Sequence, residues 1–305
     1  MGKALIFSGI TVNEPLEVVN LRQPLISASD YVTEFSKLAT GIKETDKTHL
    51  TIFIQTLMSN NLWNKVVKFF PLVGGLNGVK FDIKDVYNQV DWSVMSATTW
   101  NESKNSILTA VQANQTGKAI SCAFDWNNGA VFVGGKPMDN KEIIYPKVFT
   151  SSDLINPYYG DTVDNGLDIV PVGGGNGIPN IGTPRGYVKN TSWVFEDGNV
   201  GLNTKTAGGI YAFNFKLSGN VADVYIKIYG GNSFYATVSS FEGEQKSTDH
   251  LEAVIGNTAA GSNTYGIAQN VHFLLICNTA LSKEETKIVV DALEVLQEGL
   301  GRLVE

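Results

Sequence analysis

The sequence is poor in the residues that support metal binding, acid–base catalysis and nucleic-acid contacts. Among 305 residues there are only 3 histidines and 2 cysteines, and charged residues make up 17%, where about a quarter is usual. The net charge of −7 disfavours binding to a phosphate backbone, which requires a basic surface. No apolar run approaches the length needed to cross a bilayer. We therefore expect no nucleic-acid partner and no membrane partner. The low charged fraction fits a protein with much buried or partner-covered surface better than a highly solvated monomer.

Motifs for catalysis and cofactor binding are also missing. The glycine-rich stretch at 173–177 is followed by neither a Lys-Ser/Thr pair nor a helix, so it is not a phosphate-binding loop. No Gly-x-Ser-x-Gly nucleophile elbow is present. Glu242 and Glu244 have the spacing that places two carboxylates on one strand face, as glycoside hydrolysis would need, but they lie in a polar turn. We expect no catalytic residues, no cofactor and no enzyme activity.

The isolated histidines and cysteines indicate packing roles. His49 has no second metal ligand at helical spacing, and neither His250 nor His272 belongs to an acid–base pattern. Cys122 and Cys277 each lie in an apolar stretch, which favours buried free thiols over a disulfide. The aspartates at 161, 164 and 168 could hold calcium, but they lack the spacing of an EF-hand and its closing glutamate. No metal site is therefore predicted.

Residues 1–26 form an N-terminal arm of two apolar, β-prone runs separated at Pro15. A segment this short is not stable alone. We expect it either to dock on another subunit or to be an edge strand of the same subunit. The candidate assembly residues are Leu5, Ile6, Phe7, Ile10 and Val12.

Three short helices are predicted within residues 27–71. The first begins at Ser27 or Ser29, which suit an N-cap, and has apolar residues at 31, 35, 38 and 42. The second begins near Thr45 and has its apolar side at 50, 54, 57 and 58. The third spans 62–70 and ends at Pro71. Together they predict a helical subdomain.

Residues 72–280 carry the pattern of short strands joined by turns rich in glycine and asparagine. Residues 79–83 alternate apolar and charged side chains, which predicts a strand with one buried face. With no helices between them, the strands indicate a β-sandwich or barrel. Further strands are predicted at 92–97, 106–113, 119–126, 130–134, 142–149, 186–195, 208–216, 221–228, 233–239, 251–256 and 271–277.

Residues 158–184 are dense in glycine and aspartate and predict a long irregular loop. Loops of this length inside a compact domain are uncommon and often functional. It is either a ligand or partner loop, or a variable insertion without a role. The candidate ligand residues are Tyr158, Tyr159, Asp161 and Asp164.

The C-terminal residues 281–305 predict an amphipathic helix followed by a short tail. Ser282 and Glu285 have the spacing of a capping box. Apolar residues at 288, 289, 292, 293, 295 and 296 form a wide face, and Gly299 and Gly301 end the helix. We expect this helix to cover one end of the sandwich rather than to bind a membrane.

Two parts of the chain resemble a family of virion structural proteins from tailed phages and prophages, as in phages of gut Bacteroidota. The first part is the block Leu62-Trp63-Asn64-Lys65, Phe70-Pro71-Leu72-Val73-Gly74-Gly75 and Lys80-Phe81-Asp82-Ile83-Lys84-Asp85. The second is Ala280-Leu281-Ser282-Lys283-Glu284-Glu285 with the tail Leu300-Gly301-Arg302-Leu303-Val304. In that family such a block precedes a concanavalin A-like (laminin-G-like) jelly roll.

The resemblance implies a mainly β, concanavalin A-like jelly-roll β-sandwich with a small N-terminal helical subdomain and a C-terminal helix. It also implies a non-enzymatic virion protein, made in the host bacterial cytoplasm, at a head-decoration, fibre, collar or tail position. Its partners would be other virion proteins and further copies of itself. The alternative is a carbohydrate-binding adhesin or receptor-binding protein that contacts a host surface glycan. Its candidate aromatic residues are Trp126, Tyr158, Tyr159 and Trp193.

Overall fold

The fold is described here from a computed structural model. The described residues are 25–89, 98–109, 120–123, 128–137, 147–149, 166–171, 179–183, 186–188, 208–216, 221–231, 233–239, 250–254 and 269–303. They form two antiparallel sheets, and helices pack on one face of the larger sheet. The predicted fold class, a mainly β jelly-roll β-sandwich with a helical subdomain before it and a helix after it, is confirmed.

Two of the helices described below begin at the serine N-caps that the sequence predicts. Helix α1 is Ala28–Leu38, α2 is Glu44–Ser59, α3 is the single turn Gly75–Gly78, and α4 is Lys283–Gly299. Ser27 forms a capping box with Asp30, and Ser282 forms the predicted one with Glu285. The first two predicted helices and the C-terminal helix are confirmed.

Within the described residues, the larger sheet has eight strands in the order β12-β11-β10-β5-β14-β3-β2, with β1 also paired to β14. The smaller sheet has six, in the order β4-β13-β6-β7-β8-β9. Their bounds are β1 Val66–Phe70, β2 Thr98–Asn101, β3 Ser106–Thr109, β4 Ile120–Ala123, β5 Asn128–Pro137, β6 Lys147–Phe149, β7 Gly166–Pro171, β8 Pro179–Thr183, β9 Gly186–Val188, β10 Gly209–Lys216, β11 Val221–Ile228, β12 Ser233–Ser239, β13 His250–Val254 and β14 Gln269–Cys277.

Strand β14 lies in the middle of the larger sheet and is buried on both faces. Phe273, Leu275 and Cys277 belong to the core cluster that includes the helices, whereas Leu274 and Ile276 point to the opposite face and are equally buried. A strand buried on both faces is expected to be a continuous apolar run, and residues 273–277 are one. The helices therefore cover one face of the sheet, while its other face is also enclosed.

The predicted third helix is wrong. Residues 66–70 form β1, in which Phe69 lies opposite Leu275 and Phe70 opposite Leu274 of β14. Valine and phenylalanine dominate this segment, and β-branched and aromatic residues favour strands when a partner edge is present. Because that partner lies about 200 residues further along the chain, local periodicity did not reveal it.

The strand predicted at 79–83 is also wrong. This segment follows α3 and has no regular structure. The Asp82 carboxylate accepts hydrogen bonds from the backbone N–H groups of Phe69 and Lys84, each at 2.9 Å. The Asp82 side chain therefore accepts the hydrogen bond from the Phe69 N–H group that the backbone of a neighbouring strand would otherwise accept.

The prediction of one irregular loop at 158–184 needs correction. Residues 166–171 and 179–183 are strands β7 and β8, paired from Asp168 opposite Gly182 to Pro171 opposite Pro179. Strand β7 was not predicted because the glycine-rich sequence around its apolar residues is typical of a loop. The candidate ligand residues Tyr158, Tyr159, Asp161 and Asp164 lie outside the described residues. So do the arm residues Leu5, Ile6, Phe7, Ile10 and Val12.

Candidate functional site

An open groove with a volume of about 310 Å³ lies between α2 and α4. Each helix contributes residues at spacings of three and four, which place them on one helical face. The α2 side provides His49, Ile52, Phe53, Thr56 and the following Asn60. The α4 side provides Ile288, Asp291, Ala292, Val295 and Leu296.

The groove is apolar at its floor and partly apolar at its edges. Phe53 and Leu296 are almost fully buried, whereas Ile52 and Val295 are 49% and 55% exposed. Single exposed apolar residues are ordinary, but apolar residues grouped in a concavity with a polar rim mark interaction sites. This groove therefore has the character of a surface that binds apolar side chains.

Polar groups stand at the rim of the groove. Asp291 forms an i,i+4 ion pair with Lys287, and both side chains are about half exposed. His49 packs directly on Gly299, because a Cβ atom at position 299 would lie within 2.6 Å of three imidazole ring atoms. The histidine therefore has a packing role between α2 and the C-terminal end of α4. The rim can donate and accept hydrogen bonds to a bound chain.

A buried arginine lies below this helical layer. The Arg302 side chain is 1% exposed, and its guanidinium donates to four backbone carbonyls and to the side-chain oxygen of Gln297. The carbonyl acceptors belong to Pro71 at 3.1 Å, Leu72 at 2.7 Å, Asn105 at 2.7 Å and His272 at 2.6 Å. Burial lowers the pKa of Arg302 to about 10, so the group stays charged at neutral pH.

The Arg302 contacts stabilise an unusual backbone conformation. Leu72 has a φ of 51°, in the left-handed region that residues other than glycine rarely adopt. Its carbonyl is held by the Arg302 Nη2 atom. Asn105, which contacts Arg302 through its carbonyl, also donates through its side chain to the buried Asp46 carboxylate at 3.1 Å. The tail, α2 and the segment after β1 are thus fixed to one another.

A second set of charged groups lies where β1 meets the segment 82–89. Lys68 is ion-paired with Asp82 at 3.1 Å and with Asp85 at 3.2 Å. Lys84 lies 4.6 Å from the centre of the Trp63 ring and 5.4 Å from that of Tyr31. Burial lowers the pKa of Lys84 to about 8, and burial raises the pKa of Asp82. These contacts tie α1 and β1 to the following segment.

The remaining candidates from the sequence fall into two groups. Cys277 is a buried free thiol, as predicted, and burial raises its pKa to about 12. His272 is buried, and its Nδ1 atom lies 2.9 Å from the Tyr229 hydroxyl. By contrast, Glu242, Glu244, Trp126 and Trp193 lie outside the described residues.

Sequence reasoning missed both the groove and the role of Arg302. The sequence of α2 did contain one indication of the groove. Ile52 lies off the apolar face formed by residues 50, 54 and 57, so it is an apolar side chain outside the face expected to be buried. The sequence indicated Arg302 only as part of the C-terminal segment, residues 300–304, that resembles phage virion proteins. Among the described residues, no group of three or more His, Cys, Asp or Glu side chains is placed to hold a metal ion. In the same part of the chain, no helix has the length and hydropathy of a membrane span.

The chain matches no protein-family model and no curated protein. Among solved structures it is similar to domain 4 of AbnA, an extracellular arabinanase from Geobacillus stearothermophilus, in complex with arabinotriose. The identity is 13% over 75% of this chain and 98% of that one, with a TM-score of 0.36. It is also similar to a structure of botulinum neurotoxin type C, a toxin whose cell entry depends on interaction with two ganglioside molecules. The identity is 10% over 76% of this chain and 52% of that one, with a TM-score of 0.46.

A third similar structure is the CBM40 domain of the Ruminococcus gnavus IT-sialidase, bound to α2,6-sialyllactose. It is 12% identical over 54% of this chain and 83% of that one, with a TM-score of 0.31. All three TM-scores are below 0.5. The likeness therefore locates no ligand site on this chain.

Proposed function

We propose that the chain is a non-enzymatic virion structural subunit that assembles with copies of itself and other virion proteins through residues 1–26. The observation that carries the proposal is the direct contact between the two sequence blocks that resemble phage virion proteins. They are far apart in the sequence, yet in the fold they form one unit.

The contacts between the two blocks are direct, and those made by Arg302 are buried. Arg302, from the second block, donates to the carbonyls of Pro71 and Leu72 in the first. Lys65 of the first block is ion-paired with Glu285 of the second. The resemblance therefore covers one continuous structural element, the junction of the helical layer with the sheet, rather than two unrelated fragments. This supports transferring the family's fold and its role as a structural component.

The test is the mass in solution, by light scattering, of the full chain and of a chain lacking residues 1–26. We expect a defined oligomer for the full chain and a monomer for the truncated chain. Circular dichroism establishes that the truncated chain keeps its fold. A folded, monomeric full chain would overturn the assembly role. Virion membership is tested separately by mass spectrometry of purified phage particles, which should contain the protein in stoichiometric amounts.

The second candidate function is carbohydrate binding, in which the chain would be an adhesin or receptor-binding protein. Sugar ligands are named for the arabinanase domain and the sialidase domain described above, and a jelly-roll sandwich hosts both binding and structural proteins. A glycan array with the full chain tests it. Specific binding that survives deletion of residues 1–26 would favour the adhesin. Release of reducing ends from a bound polysaccharide would contradict the proposed absence of enzyme activity.

A further inference from the structure

We propose that the groove between α2 and α4 binds residues 4–12 from the N-terminal arm of a neighbouring copy of this chain. The inference rests on the proposed function, and it assigns the docking site that the arm would use. The occupant is thus a short apolar segment of the same sequence, supplied by a second molecule.

The groove offers what an apolar segment needs. Ile52 and Val295, about half exposed on opposite helices, stand above a floor that includes Phe53 and Leu296. An apolar segment bound between them would remove both exposed side chains from water. Burial of apolar surface is the main source of affinity when a chain segment binds in a groove between helices. Thr56 Oγ1 and Asn60 Nδ2 at the rim donate to backbone carbonyls of α2, so the side-chain oxygens of Thr56 and Asn60 would act as acceptors for backbone N–H groups of the bound segment.

The arm matches the groove in composition. Residues 4–12 include Leu5, Ile6, Phe7, Ile10 and Val12 and contain no charged residue. Lys3, the only charged side chain in residues 1–12, comes just before them and could share the Asp291 carboxylate at the rim with Lys287. A segment of this size cannot enclose its own apolar side chains, so it requires an external surface.

The position at which the described chain begins allows the arm to reach a neighbouring molecule. Ile26, just before the N-cap of α1, is 79% exposed, so the chain enters the helical layer from the outer surface. With residues 4–12 in a groove, residues 13–24 connect them to Leu25, and twelve extended residues reach up to about 40 Å. This exceeds the radius of gyration of about 19 Å expected for a globular chain of this size. Reciprocal exchange of identical arms would give a closed oligomer, and one-way exchange would give a chain of subunits.

Photo-cross-linking in the full chain tests the contact directly. A photo-reactive amino acid replaces Val295 in the groove, and in a control protein it replaces Lys37, whose side chain is 63% exposed on α1 and does not line the groove. Equal amounts of ¹⁴N- and ¹⁵N-labelled chains are mixed before irradiation. We expect position 295 to cross-link to residues 1–24 in isotopically mixed pairs, and position 37 to give at least tenfold less of this product.

Cross-links that join residues 1–24 only to the same molecule would overturn the proposal, as would cross-links from position 295 to any other segment. A second test uses the full-length double variant Ile52→Asp/Val295→Asp, whose sites are exposed enough for the fold to tolerate the change. We expect its oligomer to dissociate at a concentration at least tenfold higher than for the parent chain. A Glu298→Gln variant should dissociate as the parent does.

The outcomes separate the two proposals. If the double variant keeps the parent oligomer while deletion of residues 1–26 yields a monomer, the arm assembles subunits but not through this groove. If the deletion also leaves the oligomer unchanged, the arm has no assembly role and both proposals fail.

Discussion

The most demanding prediction concerns Arg302, which we expect to be essential for the stability of the fold. The proposed change is Arg302→Met, which keeps an unbranched side chain of similar reach but removes every guanidinium donor. Four buried backbone carbonyls and the Gln297 side-chain oxygen would then lose a hydrogen bond. Leu72 would also lose the contact that holds its carbonyl while its φ is 51°.

The magnitude follows from the cost of leaving buried polar groups without partners. Each such group costs about 1–3 kcal/mol, although relaxation of the tail would recover part of this. Removing the arginine also removes the cost of burying its charge, which is reflected in the lowering of its pKa to about 10. Removing one partner from a buried charged network typically destabilises a protein by about 3–5 kcal/mol. We expect a loss in that range, against a total stability of about 5–15 kcal/mol.

The assay is urea unfolding followed by tryptophan fluorescence and circular dichroism. The matched control is Lys287→Met, which makes the same change of charge in an exposed ion pair of α4 and should cost less than about 0.5 kcal/mol. Arg302→Lys keeps the charge but has fewer donors in a different geometry, so it should be intermediate, and it replaces Arg302→Met if that variant does not fold. A loss below about 1 kcal/mol for Arg302→Met would refute the reasoning.

Three further predictions concern packing and titration. Gly299→Ala should destabilise the protein by about 1–2 kcal/mol, because the added Cβ atom would collide with the His49 ring. In a His49→Ala background the same change should be neutral or stabilising, because alanine favours helix. Equal changes in the free energy of unfolding in both backgrounds would contradict this reasoning. The Lys84 pKa is about 8 in the folded state and about 10.4 when unfolded, so the unfolded state binds more protons between these values and stability should rise with pH there. Lys84→Met should flatten that rise in urea midpoints measured from pH 7.5 to 10, and identical slopes would argue against the lowered pKa. In a Cys122→Ser background, Cys277 should not react with a thiol reagent at pH 8 until urea is added, because burial raises its pKa to about 12; rapid labelling of the native protein would be inconsistent with that burial.

Much of the sheet could be predicted from local sequence because its turns are clearly marked. The predicted strands at 221–228 and 233–239 coincide with β11 and β12, and the prediction at 208–216 differs from β10 by one residue. Glycine and asparagine at the intervening turns fix these limits. By contrast, a short apolar run such as residues 66–70 fits both a helix and a strand. Its partner, β14, decides between them, and nothing local to the run reveals that partner.

The candidate site was less predictable for the same physical reason. The amphipathic patterns of α2 and α4 each identify an apolar face, but not which residues remain exposed once the two helices pack. Ile52 and Val295 become neighbours across a groove only because α2 and α4 pack together, although they are far apart in the sequence. Likewise, Arg302 finds its acceptors in segments that are not adjacent in the sequence. Contacts of this range depend on the assembled fold.

The construction of the groove has a consequence for assembly. One wall comes from residues 49–60 and the other from residues 288–296, and Arg302, just beyond α4, anchors the end of that second wall to Pro71 and Leu72. Because a chain is synthesised from its N-terminus, the arm is made first and the complete groove last. An arm that docks in this groove can therefore bind only a finished subunit. Arg302→Met should accordingly weaken oligomerisation as well as stability, whereas Lys287→Met should leave the mass of the oligomer unchanged.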